Sequence, residues 1–177
     1  ELYDAVLAYA DSQVGKIFEA FQSTEQPGRS LLLITADHGE EFWEHEAYEH
    51  GHSLYDELLA VPLVVYAPGL AEAGGEVSEA VAVRDIAPTV LEFAGLETPG
   101  DWTARSLFPP GAGWPRRGER ALVASSLLYG IDRFAIERGR YKYIYNAMGT
   151  GSGAPRAPPP VHNQHHYDNS EAPHETT

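Results

Sequence analysis

Leu31-Leu32-Leu33-Ile34-Thr35-Ala36-Asp37-His38-Gly39-Glu40-Glu41 is the stretch that decides the fold. Its apolar run is short and continuous, bounded upstream by the breaker Gln26-Pro27-Gly28 and downstream by charge. That pattern predicts a strand covered on both faces, as in a parallel sheet. The polar residues begin where the strand ends. In open α/β sheets, sites form outside the carboxyl ends of strands, because loops converge there on a rigid scaffold. Asp37 and His38 offer a hard oxygen and an imidazole nitrogen side by side, and Gly39 is expected to let the backbone turn so that both face one ion. At the level of the tripeptide alone, an Asp capping a following helix beside a surface His would look the same.

Upstream, Leu2, Val6, Tyr9, Val14, Ile17, Phe18 and Phe21 recur at helical spacing and predict an amphipathic helix with one buried stripe. Downstream, Asp37 to His52 is a polar loop. Ser53, with Asp56 in capping-box position, starts a short helix. Val61 to Tyr66 reads as a second buried strand, and Val77 to Val83 as a third. Asp85 to Gly95 is a helix with Pro88 in its first turn and Gly95 just past its end. The alternation predicts an α/β layered fold. Beyond Gly100 the texture changes, with Pro109-Pro110-Gly111 and Trp114-Pro115 marking a linker. Arg133 to Glu137 and Tyr141 to Tyr145 then predict an antiparallel hairpin. Gly149 to Pro160 reads as a mobile segment.

Four of the chain's eight histidines, His38, His45, His50 and His52, lie in or beside the loop after the first strand, with Glu40, Glu41, Glu44, Glu46 and Glu49. A solvated acidic loop would explain the glutamates but not the histidines. An imidazole near a metal and an anionic substrate can donate to a leaving oxygen or bind a negative group, and neighbouring carboxylates favour its protonated form.

The chain has 177 residues and 12 Lys+Arg against 26 Asp+Glu, a net charge of −14. Such an acid excess argues against nucleic-acid binding and against docking on anionic membranes. With no Cys, disulfides, thiolate metal sites and a cysteine nucleophile are absent from these residues. No apolar run approaches the roughly 20 residues that span a bilayer.

Three segments closely resemble the sulfatase family of the alkaline-phosphatase-like superfamily: Leu32 to Glu41 with Glu44-His45, His50-Gly51-His52-Ser53-Leu54-Tyr55-Asp56-Glu57, and Val61-Pro62-Leu63-Val64-Val65. Further matches keep the family's order. Tyr9 to Gly15 is similar to the helix before the metal strand, and Asp85 to Leu91 with Gly95-Leu96 to its D-I-x-P-T-L-L…G segment. Ala104-Arg105-Ser106-Leu107 is similar to its G-x-S-L sequel, without the Gly. Arg138 to Tyr145 resembles the carboxyl-terminal strand pair, and Tyr167-Asp168 with Pro173 to Thr176 the closing Y-D-L…D-P-x-E-T segment, with Ala172 where Asp is usual.

The resemblance implies a partial alkaline-phosphatase-like layered sheet over residues 1–110, then a small antiparallel β subdomain and tail over 111–177. It implies a metal-dependent sulfuric ester hydrolase acting on a small sulfated ester. Phosphate or phosphonate monoesterases and phospho-group transferases are the same-fold alternative, and a non-catalytic metal- or glycan-binding module the alternative of another class. By analogy Asp37 and His38 are metal ligands, of Ca²⁺ before Mn²⁺, Mg²⁺ or Zn²⁺. Where relatives hold a Lys or His against the sulfate or leaving oxygen, His50 and His52 are the candidates, while His45 is assigned a structural role. The family's paired-Asp motif and its C/S-x-P-x-R nucleophile, converted to formylglycine, do not occur in these residues. The chain is therefore expected to be the carboxyl-terminal portion of the enzyme and inactive alone, and a periplasmic or extracellular parent is compatible with the family.

Remaining features have plainer expectations. Arg138, Arg140 and Lys142 on the hairpin are expected on a solvated face. His162, His165 and His166 are expected on a mobile tail, and Phe42-Trp43 to anchor in a core.

Overall fold

The computed structural model describes residues 2–69, 75–108, 120–126 and 131–147 and, as backbone, 164–168. In chain order the elements are α1 (Leu2–Gln22), β1 (Leu32–Thr35), β2 (Glu41–Phe42), β3 (Tyr48–Glu49), α2 (Asp56–Leu59), β4 (Leu63–Tyr66), α3 (Ile86–Phe93), β5 (Leu122–Ser126), β6 (Arg133–Arg138), β7 (Tyr141–Asn146) and β8 (Gln164–Asp168). They divide into two compact units, Glu1–Leu33 with Val64–Glu76 and Ile34–Leu63 with Val77–Thr177. No helix among the described residues is long and apolar enough to cross a membrane.

In the first unit α1 forms where the periodicity places it, and Phe18 and Phe21 set their ring edges on Tyr66, with centroids 5.0 and 6.1 Å away. The expected buried stripe is not there: no residue of α1 is buried, and Leu2, Val6, Tyr9 and Ile17 are exposed. A helix of 21 residues is about 31 Å long. Strands of four residues, β1 and β4, span only about 13 Å and cannot cover it. The two strands are neighbours in one sheet. Both are half-buried rather than covered on both faces, with Val64 53% exposed.

In the second unit β5, β6, β7 and β8 form a four-stranded antiparallel sheet in sequence order. The predicted hairpin is β6–β7, turning at Gly139 with φ 59° and pairing Glu137 with Lys142. Ala135 and Ile144 make a core with Leu54, against which Tyr55 and Ala124 pack. His165 and His166 belong to a paired strand, β8, and not to a mobile tail, because the backbone of β7 offers it a free edge. His162 and the segment from Gly149 to Pro160 lie outside the described residues, as do Pro109 to Pro115.

The third strand predicted over Val77 to Val83 does not form. Its end is a single 3₁₀ turn, Val83–Asp85, leading into α3. The Asp85 carboxylate forces the turn by accepting from the amides of Ala82 (3.0 Å) and Arg105 (2.9 Å) while pairing with Arg120. Burial alone would raise this carboxyl, but those partners outweigh it and hold it below its usual range. Thr89 ties α3 to the following loop, donating to the Asp85 carbonyl at 2.6 Å and accepting from the Leu107 amide at 2.9 Å. Gly95, with φ 72°, closes α3 as expected.

Candidate functional site

The loop leaving β1 carries Asp37, His38 and Gly39. Gly39 is required here for close approach, not for a turn: its φ is not positive, and a Cβ would collide with the Glu57 carbonyl oxygen and lie 3.2 Å from the Leu58 Cα. Its amide donates to the Leu58 carbonyl at 2.9 Å, so the backbone of α2 fixes the loop. Asp37 projects outward with its side chain 90% exposed. His38 Nδ1 lies 2.8 Å from the Gly39 carbonyl oxygen. A carbonyl only accepts, so Nδ1 carries a proton, and in the neutral ring the lone pair is then on Nε2.

Beyond Glu40 the polar loop is a small hairpin, β2 paired with β3 through Glu41 with Glu49 and Phe42 with Tyr48. Trp43 (φ 85°) and Glu46 (φ 63°) adopt left-handed backbone in its turn, and Trp43 leans on Tyr48 with 5.1 Å between ring centroids. The core role expected of Phe42-Trp43 is not realised, since both are exposed. In a two-residue strand one face must point to solvent, and Glu41 takes the inner one.

Three histidines of the loop each meet one carboxylate. His50 Nδ1 lies 3.1 Å from Glu40, His52 Nε2 2.6 Å from Glu41, and His45 Nδ1 2.6 Å from Glu57. The His50 ring also stacks on His38, centroids 3.9 Å apart, and the His45 ring on Tyr55 at 3.7 Å. The structure thus brings Asp37, His38 and His50 together on an exposed edge. His52 is turned into Glu41. His45 is enclosed between Glu57 and Tyr55.

Glu41 is the hub of the loop and is 1% exposed. One oxygen accepts from the amides of His45 and Ala47, both at 3.0 Å, and the other meets His52. Burial would raise its carboxyl, but the hydrogen bonds from His52 and the two amides hold it below the usual carboxylate range. Glu41, His45 and Glu57 have ligand atoms within 4.8 Å of one another. The donors of Glu41 and His45 are already engaged, so this trio is better suited to fixing the loop than to holding a cation.

The carboxyl-terminal sheet backs the same loop. Ser126 Oγ donates to the Gly51 carbonyl at 3.3 Å, between His50 and His52. Lys142, expected on a solvated face, is 1% exposed and pairs with Asp56 at the start of α2. Alternation along β7 turns Lys142 and Ile144 inward together, and charge alone did not disclose which face that was. Ser53 is not the helix cap, because Tyr55 occupies that position and makes no side-chain cap. The Ser53 hydroxyl is buried without a hydrogen-bond partner among the described residues. In sequence Glu41, Asp56 and Lys142 have other places, a solvated loop, a helix cap and a solvated face, and no part in holding the site. The one available signal was the two-residue alternation of β7.

A family model for sulfatases matches residues 1–96. The chain is 35% identical over 107 residues to arylsulfatase K of Xenopus laevis, covering 60% of this chain and 20% of that protein. It is 30% identical over 156 residues to arylsulfatase K of Gallus gallus, covering 83% of this chain and 29% of that protein. Among solved structures, a protein in complex with its substrate D-glucosamine-2-N,6-O-disulfate superposes with a TM-score of 0.74 at 23% identity, covering 92% of this chain and 32% of that one. The chain therefore spans between 20% and 29% of the length of these two curated relatives.

Proposed function

The chain belongs to the sulfatase family, and from that premise we propose that it is the carboxyl-terminal part of a metal-dependent sulfuric ester hydrolase. Residues 1–110 then belong to the alkaline-phosphatase-like catalytic domain, with β1 and β4 as members of its layered sheet, and 111–177 to its antiparallel subdomain. The observation that carries the reading is the His38–His50 stack beside an exposed Asp37.

The donor set fits part of a divalent-cation shell. Asp37 Oδ1 lies 3.9 Å from His38 Nε2, the nitrogen whose lone pair the Gly39 carbonyl leaves free. Ca²⁺ takes about six to eight donors, so these two are a fraction of what a site needs. Ca²⁺ is the favoured ion, with Mn²⁺, Mg²⁺ and Zn²⁺ as alternatives. When bound, such a cation supplies Lewis-acid stabilisation of charge on the ester oxygens. His50, oriented through Nδ1 by Glu40, would act in its imidazolium form, giving the Nε2 proton to the leaving oxygen and keeping the Nδ1 proton on Glu40. His52 is locked on Glu41 and holds the loop. The formylglycine nucleophile is not among these residues, and the chain by itself does not turn over.

A small sulfated ester is the substrate class, supported by the disulfated glucosamine bound to one structural relative. The test is metal content of the full-length protein beside Asp37→Ala and His38→Ala. The reading expects the cation, and EDTA-sensitive hydrolysis of an aryl sulfate, to be lost in both variants. Retention of both would refute it.

A further inference from the structure

We propose that Lys142 is a positioning residue for the site loop, acting through Asp56 from the carboxyl-terminal sheet; this rests on the sulfatase reading only for its effect on turnover. Lys142 lies on β7, is 1% exposed, and meets the Asp56 carboxylate where α2 begins. Its cross-strand partner on β6 is Glu137, whose own carboxyl is pushed up by burial and by Asp56, with Lys142 opposing. A buried ammonium is costly to desolvate unless it is paired, and here the Asp56 carboxylate is a partner that ties the sheet to α2.

What it orders follows from α2, which spans only Asp56–Leu59 and has no side-chain cap of its own. A helix this short is not stable by itself and takes its place from tertiary contacts. Asp56 is its clamp to the sheet, and the next two residues face the site. The Glu57 carbonyl occupies the space a Cβ on Gly39 would need, the Leu58 carbonyl accepts the Gly39 amide at 2.9 Å, and the Glu57 carboxylate holds His45 at 2.6 Å. Lys142 thus fixes α2, and α2 fixes the Asp37-His38-Gly39 segment. A loop that must hold charged side chains in register gains from a rigid backing of this kind.

The test is amide hydrogen exchange in Lys142→Met, Asp56→Asn and the double variant. Loss of the clamp should speed exchange at Gly39 and Ala60 by about tenfold or more while β6–β7 amides stay within about twofold. The double variant should exchange at Gly39 no faster than Lys142→Met alone, since the two residues act as one unit. In full-length protein Lys142→Met should lower kcat on an aryl sulfate with KM little changed, and Lys142→Arg should recover part of it. Uniform acceleration across the sheet, an unchanged Gly39 amide, or additive effects in the double variant would overturn the assignment. If the unsubstituted protein shows no sulfate ester hydrolysis, the family activity fails while the exchange measurements still decide the role of Lys142.

Discussion

The His38 and His50 rings stack with centroids 3.9 Å apart and 26° between their planes. Each has Nδ1 engaged by a fixed acceptor, Gly39 O for one and Glu40 for the other, so each has Nε2 left for ligand or substrate. The pairing puts a candidate metal ligand and a candidate proton donor in van der Waals contact. In full-length protein, His50→Ala should cost about 10²–10⁴ in kcat for an ester of a poorly leaving alcohol, and much less for an activated aryl ester. His52→Ala should cost similar amounts on both substrates, because it loosens the loop instead of removing a proton. The leaving-group dependence of kcat separates the two.

Gly39 has no room for a side chain. Gly39→Ala drives a methyl into the backbone of Glu57 and should destabilise the chain by about 1–3 kcal/mol or more. Gly15, inside α1 with nothing within 4 Å of a Cβ, is the control. Gly15→Ala should stabilise by about 0.5–1 kcal/mol. Urea unfolding midpoints of the two variants are expected to move in opposite directions.

Glu41 is held below its ordinary value against a burial effect of opposite sign, because two amides and His52 bond its charged form. Its folded-state value lies below the unfolded value of about 4.3, so its contribution is complete above that pH and is lost as pH falls through the folded value. Glu41→Gln should therefore be less stable than the parent chain at neutral pH, with the gap closing in acid. Thermal unfolding across pH reads this directly.

Glu137 has the opposite sign. Burial and Asp56 raise its carboxyl and Lys142 only partly offsets them. Its folded-state value lies above about 4.3, so its contribution is present below that pH and is lost as pH rises through the folded value. Glu137→Gln should be more stable than the parent chain at neutral pH and converge with it in acid.

The helical periodicity of α1, the capping signals around Pro88 and Gly95 and the alternation of β6 and β7 were legible because each is a local pattern. The cluster of Asp37, His38 and His50 was legible as composition, four histidines in one short loop. Its inner logic was not. Glu41 and Glu40 look alike in sequence, and only the β2–β3 pairing turns one inward and leaves the other against His50. Lys142 read as a surface charge because its partner Asp56 is 86 residues away. The strand expected over Val77 to Val83 failed for the same reason: Asp85 is recruited by Arg105 and Arg120, and no local signal announces that. Val6, Tyr9 and Ile17 show that periodicity predicts which face of a helix is apolar, not how much of it the described residues cover.

The most direct measurement is kcat/KM of the full-length, metal-loaded protein on an aryl sulfate and on the matching aryl phosphate, with Asp37→Ala in parallel. The account predicts preferential hydrolysis of the sulfate, abolished by EDTA and by Asp37→Ala. Preference for the phosphate, or sulfate hydrolysis that survives both EDTA and Asp37→Ala, would contradict it.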